Sequence, residues 1–149
     1  MNKSHLQIIQ TSGSNIDYTV GNMYKRINVR HINMVSIERH ASSVAVLIGN
    51  SVFSSKTFKA QQERFETIEE AQMFVDELLN LAGQTLFGKF ITPLGDEKFF
   101  RKSEISIINC NVSEINDYYT IFIGICGTVI QCENFESIED VMEVYKELA

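Results

Sequence analysis

The sequence holds a single proline, Pro93, and no tryptophan. No run rich in proline, glycine, serine or glutamine interrupts it, so composition marks no disordered tail. No apolar stretch nears the roughly 20 residues that a bilayer span needs. The opening residues, MNKSHLQIIQ, carry no apolar core followed by a cleavage site, so a secretory leader is not expected. Cysteine is scarce too. Cys110, Cys126 and Cys132 are odd in number and lack C-x-x-C spacing. That argues against a disulfide framework and against zinc, which needs more ligands at closer spacing. These absences together lead us to expect a cytoplasmic protein with reduced thiols and no membrane span.

What is present is ordinary in amount and uneven in placement. Of 149 residues, 44% are hydrophobic and 21% charged. A chain of this length buries roughly 68–70% of its unfolded surface, enough for a core without staples. The net charge is −6. Residues 1–64 hold eight Lys/Arg against three Asp/Glu, whereas residues 65–149 hold five against sixteen. An acidic balance disfavours broad nucleic-acid binding, which requires phosphate-neutralising cations.

The two halves resemble each other. Phe65-Glu-Thr-Ile-Glu-Glu-Ala71 matches Phe135-Glu-Ser-Ile-Glu-Asp-Val141. Across fifteen pairs at an offset of seventy, six are identical, where chance gives about one. Upstream, residues 43–49 pair with 118–124, 32–37 with 105–110, and 8–20 with 90–100 in the same order. The expected fold class is therefore α+β: an internal tandem duplication of an antiparallel sheet unit of about five strands, closed by a C-terminal helix. The expected units are 1–84 and 85–149. Each would be marginal alone, so they should pack as one body.

Short apolar or alternating runs predict strands over 5–11, 16–20, 26–38, 43–49 and 51–58, then 86–92, 97–101, 104–111, 117–125 and 127–133. Ser12–Asn15 and Leu94-Gly95-Asp96 read as hairpin loops. Val44, Val46 and Ile48 alternate with Ala45 and Leu47, which suits a strand covered on both faces. Thr67-x-x-Glu70 has the form of a capping box, in which the Glu side chain returns to the Thr backbone N–H. Ser137-x-x-Asp140 is its shorter-armed counterpart. Helices are predicted over 67–82 and 137–148, each with one apolar stripe.

Chemistry-bearing motifs are few. Gly83-Gln-Thr-Leu-Phe-Gly88-Lys89-Phe90 matches GxxxxGK, but a phosphate loop ends in Ser/Thr and lies between a strand and a helix. Here a helix precedes and a strand follows, so Gly83 reads as a helix stop and Gly88 as a linker bend. His5, His31 and His40 lie in the first half and all three cysteines in the second. Only a site between the halves could unite them. No catalytic residue, cofactor or metal is expected.

Two charged stretches remain. Lys25, Arg26 and Arg30 form the densest basic stretch, a candidate patch for nucleic acid or an acidic partner. Glu133, Glu136, Glu139 and Asp140, with Glu143 beyond them, form the densest acidic one. The dipole of the second helix accounts for about half of these carboxylates. The expected function is non-catalytic: a small binding or adaptor protein of accessory, inhibitor or immunity type, acting on a protein partner. The alternative is a nucleic-acid-associated regulator working through the basic stretch.

Overall fold

The computed structural model of the chain describes residues 6–50, 60–112, 118–125 and 128–149. Two glycines set its first meander. Gly13 and Gly21 both take φ 59, a conformation other residues resist. They turn the chain between β1 (Leu6–Ser12), β2 (Asn15–Val20) and β3 (Met23–Asn28). A 3₁₀ turn follows at Val29–His31. The Asn28 side chain accepts from the Arg30 N–H at 3.0 Å, and the Val29 N–H donates to the Ser14 carbonyl at 2.8 Å. The single strand expected over 26–38 is therefore broken in two. Asn28 offers the backbone a local partner that competes with the strand ladder.

Three antiparallel strands come next: β4 (Ile32–Arg39), β5 (Val44–Asn50) and β6 (Ala60–Phe65). The strand expected at 51–58 lies outside the described residues. β6 itself, AQQERF, has too little apolar character for its sequence to announce it. Helix α1 (Ile68–Ala82) starts at Thr67, whose hydroxyl oxygen accepts from the Glu70 N–H at 3.2 Å. The Glu70 carboxylate accepts from that same hydroxyl at 3.1 Å, a different return contact from the one the capping box predicts. Gly83, at φ 101, ends the helix by donating its N–H to the Leu79 carbonyl at 2.8 Å.

The second half runs through β7 (Phe87–Ile91), β8 (Glu97–Arg101), a 3₁₀ turn at Lys102–Glu104, β9 (Ile105–Val112), β10 (Tyr119–Ile125), β11 (Thr128–Phe135) and α2 (Ile138–Leu148). The β7–β8 turn is the one expected at Leu94–Asp96. Gly95 takes φ 95, and Thr92 binds the Gly95 and Asp96 N–H groups at 2.9 and 3.1 Å. Ser137 caps α2 by accepting from the Asp140 N–H at 3.2 Å.

The class is α+β with antiparallel sheets, of strand orders β1-β2-β3, β6-β5-β4-β8-β7 and β11-β10-β9. Strand partnership does not follow the two halves. The second-half hairpin β7–β8 joins the first-half meander through β4, with Met34 opposite Phe100 and Ile37 opposite Glu97. The central five-stranded sheet thus crosses the boundary expected at 84/85.

That sheet has two different faces. Val35 and Ile37 pack with Ala71, Phe74, Val75, Leu78 and Leu79 of α1, and with Ile16, Tyr18 and Ile27 of the first meander. Met34, Phe90 and Phe100 pack with Ile121, Ile123, Ile125 and Phe135, and with Val141, Val144 and Leu148 of α2. Burying each large side chain contributes roughly 1.5–3 kcal/mol, so each helix is seated mainly by three to five residues. Gly88 explains the close seating of α2. A Cβ there would stand 2.3 Å from the Glu147 carbonyl oxygen. The second glycine of the GxxxxGK match is thus no linker bend. It sits within β7, where only hydrogen leaves room for the last turn of α2.

Candidate functional site

A groove of about 980 Å³ opens where the β7–β8 turn, the end of β11 and α2 meet. Its apolar wall comprises Ile91, Pro93, Leu94 and Tyr118. Leu94 is 88% exposed, and Ile91 and Tyr118 are also open to solvent. Its charged wall holds Glu133, Glu136, Asp140, Glu143 and Glu147. Lys89 is the sole cation of its lining among the described residues, and its ammonium is already engaged by Glu97 at 3.1 Å. Glu97 also accepts from Gln72 at 3.0 Å.

Helix geometry explains only part of this acidity. Asp140, in the first turn of α2, complements the positive helix end, and Glu136 lies just before the Ser137 cap. Glu143 and Glu147 gain nothing from that end. Asp140 to Glu143 is an i,i+3 step and Glu143 to Glu147 an i,i+4 step, so like charges stack along one helix face. Such pairs cost an isolated helix a few tenths of a kcal/mol each. Glu147 also lies in the last turn, where the helix dipole disfavours an anion. Four of the five sequence-singled carboxylates, Glu133, Glu136, Asp140 and Glu143, line the groove. Glu139 does not; it is exposed on α2 outside the lining. The Glu133 carboxylate accepts from the Gln131 amide. Glu147 is the lining carboxylate that sequence reasoning missed, although its place eight residues beyond Glu139 and four beyond Glu143 on a helix would have revealed it.

The basic stretch is assembled differently. Strand register sets Asp17 opposite Arg26 and Tyr18 opposite Lys25. Arg26 makes a two-point contact with Asp17, Nε to Oδ1 at 2.6 Å and Nη2 to Oδ2 at 2.9 Å. Those bonds, helped by Gln10, hold the Asp17 carboxyl down at about 2 and raise the Arg26 guanidinium. Lys25 Nζ lies 2.9 and 3.2 Å from the Glu63 carboxylate. Glu63, on β6, is only 4% exposed. It also accepts from the Tyr18 hydroxyl at 2.6 Å and the Gln61 amide at 2.8 Å. Burial, then the Glu63 bond, push the Tyr18 hydroxyl well above its ordinary range. Arg30 is exposed on the 3₁₀ turn. Two of the three cations are thus neutralised within the chain. The turn Gly21-Asn22 would have disclosed the Asp17 pairing, since it centres the β2–β3 register. Glu63 is distant in sequence and gives no such signal.

The thiols and imidazoles do not assemble among the described residues. His31 ends the first 3₁₀ turn, His40 follows β4, and Cys110 lies on β9 of another sheet. His5, Cys126 and the Cys132 side chain lie outside the described residues. Among the described residues no group of three His, Cys, Asp or Glu is placed to hold a metal. No described helix is long and apolar enough to cross a membrane.

Compared with protein-family models, with curated proteins and with solved structures, the chain matches none.

Proposed function

We propose that this is a non-catalytic binding protein of the cytoplasm, built on a duplicated plan, whose acidic groove takes a basic, partly apolar segment of a partner protein. One observation carries the reading. Glu143 and Glu147 add negative charge to a helix face that already bears Asp140, at positions the helix dipole does not reward. A cationic partner would relieve that repulsion. Exposed Ile91, Leu94 and Tyr118 beside the carboxylates would receive its apolar side chains. Charge complementarity of this kind speeds encounter and fixes orientation.

Support for the duplicated plan lies in the order of elements. From β2 to α1 the chain runs strand, strand, 3₁₀ turn, three strands, helix, and from β7 to α2 it does so again. The N-caps match as well, Thr67 at φ −125 and Ser137 at φ −132, each accepting from the N–H three residues on. In this order the β7–β8 hairpin corresponds to β2–β3, one strand later than the match of 8–20 with 90–100 implies.

Calorimetric titration with a short Lys/Phe-alternating peptide tests the groove, with a Glu/Phe peptide as control. Binding of the first alone, weakening as salt rises, is the expected result. Equal binding of both, or of neither, refutes it. The nucleic-acid alternative has less to work with, because Glu63 and Asp17 already occupy Lys25 and Arg26. Labelled single-stranded RNA retained by the protein, but not by a Lys25→Ser/Arg26→Ser/Arg30→Ser variant, would favour that alternative instead.

A further inference from the structure

β9 is an edge strand: β10 flanks one side, and no described strand flanks the other. Edge strands are usually protected by charge, proline or a covering element, since their bare N–H and C=O groups template pairing. β9, with the sequence ISIINCNV, carries no charge and no proline over eight residues. Of the other edges, β6 carries Glu63 and Arg64, β11 carries Glu133, and β7 carries Lys89 and lies against α2 at Gly88, whereas β1, LQIIQTS, is as uncharged as β9. On the first meander β3 is likewise an edge. It exposes Met23 (59%) and Tyr24 (83%), while its two charges are held by Asp17 and Glu63 on its own chain.

The central sheet shows how such edges are satisfied. The strand after the 3₁₀ turn at Val29–His31, β4, receives the strand that precedes the one at Lys102–Glu104, β8. The reciprocal pair would be β9, after the Lys102–Glu104 turn, and β3, before the Val29–His31 turn. Among the described residues each has a ladder on one side alone, and none joins the two. We infer that β3 of a second copy of this chain adds antiparallel to β9, and that the two copies exchange this contact symmetrically.

The pairing is self-complementary, as a two-fold dimer requires. It also sets the basic first half of each copy against the acidic second half of the other, +5 for residues 1–64 against −11 for residues 65–149. Register follows from the β4–β8 ladder and rests on the duplicated plan. Met34 opposite Phe100 and Ile37 opposite Glu97 become Ile107 opposite Ile27 and Cys110 opposite Tyr24. The two intervening pairs set Ile108 against Arg26 and Asn109 against Lys25.

Cys110 makes the arrangement testable. Directly opposed residues of an antiparallel pair have Cα atoms about 4.5–5.5 Å apart, within disulfide reach. Tyr24 is so exposed that Tyr24→Cys leaves the fold intact. The native chain should sediment at twice its 17.0 kDa. Mild oxidation of Tyr24→Cys should give a covalent dimer whose peptide map joins positions 24 and 110 of different chains. Adding Cys110→Ser should abolish the link. A monomer in sedimentation overturns the proposal, and so does a link between positions 24 and 110 of one chain. A dimer in which neither Tyr24→Cys nor Met23→Cys links to Cys110 overturns it as well. A dimer linked through Met23→Cys alone supports the edge pairing and removes the register taken from the duplicated plan.

Discussion

The Tyr18 hydroxyl donates to Glu63 Oε2 at 2.6 Å, joining the middle strand of the first meander to an edge strand of the central sheet. Glu63 is buried with three donors around it, Tyr18, Lys25 and Gln61. A buried carboxylate is tolerated only when so satisfied. Glu63→Leu should therefore cost about 3 kcal/mol, because it strands an ammonium, a hydroxyl and an amide at once. Tyr18→Phe should cost about 1–2 kcal/mol, since two donors remain. Urea unfolding of both variants checks the order. Equal losses would contradict it.

The same contact sets an alkaline limit. Burial and the Glu63 bond raise the folded-state pKa of Tyr18 above its unfolded value near 10. The contribution is complete below pH ~10 and is lost as the pH rises beyond that, where unfolded tyrosine ionises and the folded one does not. The alkaline limb of the stability curve should be shallower in Tyr18→Phe. A limb unchanged by the substitution would assign it to other groups.

At the acid end the Asp17–Arg26 pair behaves oppositely. Hydrogen bonds from Arg26, then from Gln10, hold the Asp17 carboxyl at about 2, below its ordinary 3.8. Its contribution is present above pH 3.8 and fades as the pH falls through 2. A carboxyl-detected NMR titration should show this low midpoint, and Arg26→Ala should move it up. A midpoint near 3.8 in the native protein would mean that the two-point contact is not populated.

Gly88→Ala tests the seating of α2. With 2.3 Å between the added Cβ and the Glu147 carbonyl oxygen, strand or helix must shift, at about 1–3 kcal/mol. The variant should unfold at lower urea and be clipped earlier within 138–149 by limited proteolysis. Native resistance in both assays would refute the close approach.

The sequence disclosed those parts of the fold whose causes are local. Thr67 and Ser137 announce the helix starts because a short hydroxyl before an acidic turn satisfies free N–H groups. Gly95 announces its turn through its positive φ. β6 stayed hidden because an edge strand needs few apolar residues. The break at Asn28 stayed hidden because the competing bond is a side chain's own. The pairing of β8 with β4 could not be read at all, since any antiparallel strand of matching pattern could have filled that edge. Acidic character at the groove was legible in Glu133, Glu136 and Asp140. The apolar wall was not, because Leu94 and Tyr118 are brought together by the fold alone. In the basic stretch, Asp17 on the paired strand β2 and Glu63 on β6 of the central sheet bring to Arg26 and Lys25 carboxylates that linear inspection keeps apart.

The groove's charge should carry a stability cost that its partner repays. A paired measurement on Glu143→Gln/Glu147→Gln tests this most directly, combining a thermal melt of the free protein with a fluorescence-anisotropy titration of the Lys/Phe peptide. The expected result is a higher melting temperature, as like-charge repulsion along α2 is relieved, together with affinity lower by about tenfold, or 1.4 kcal/mol. Unchanged peptide affinity would contradict it, whatever the melt shows.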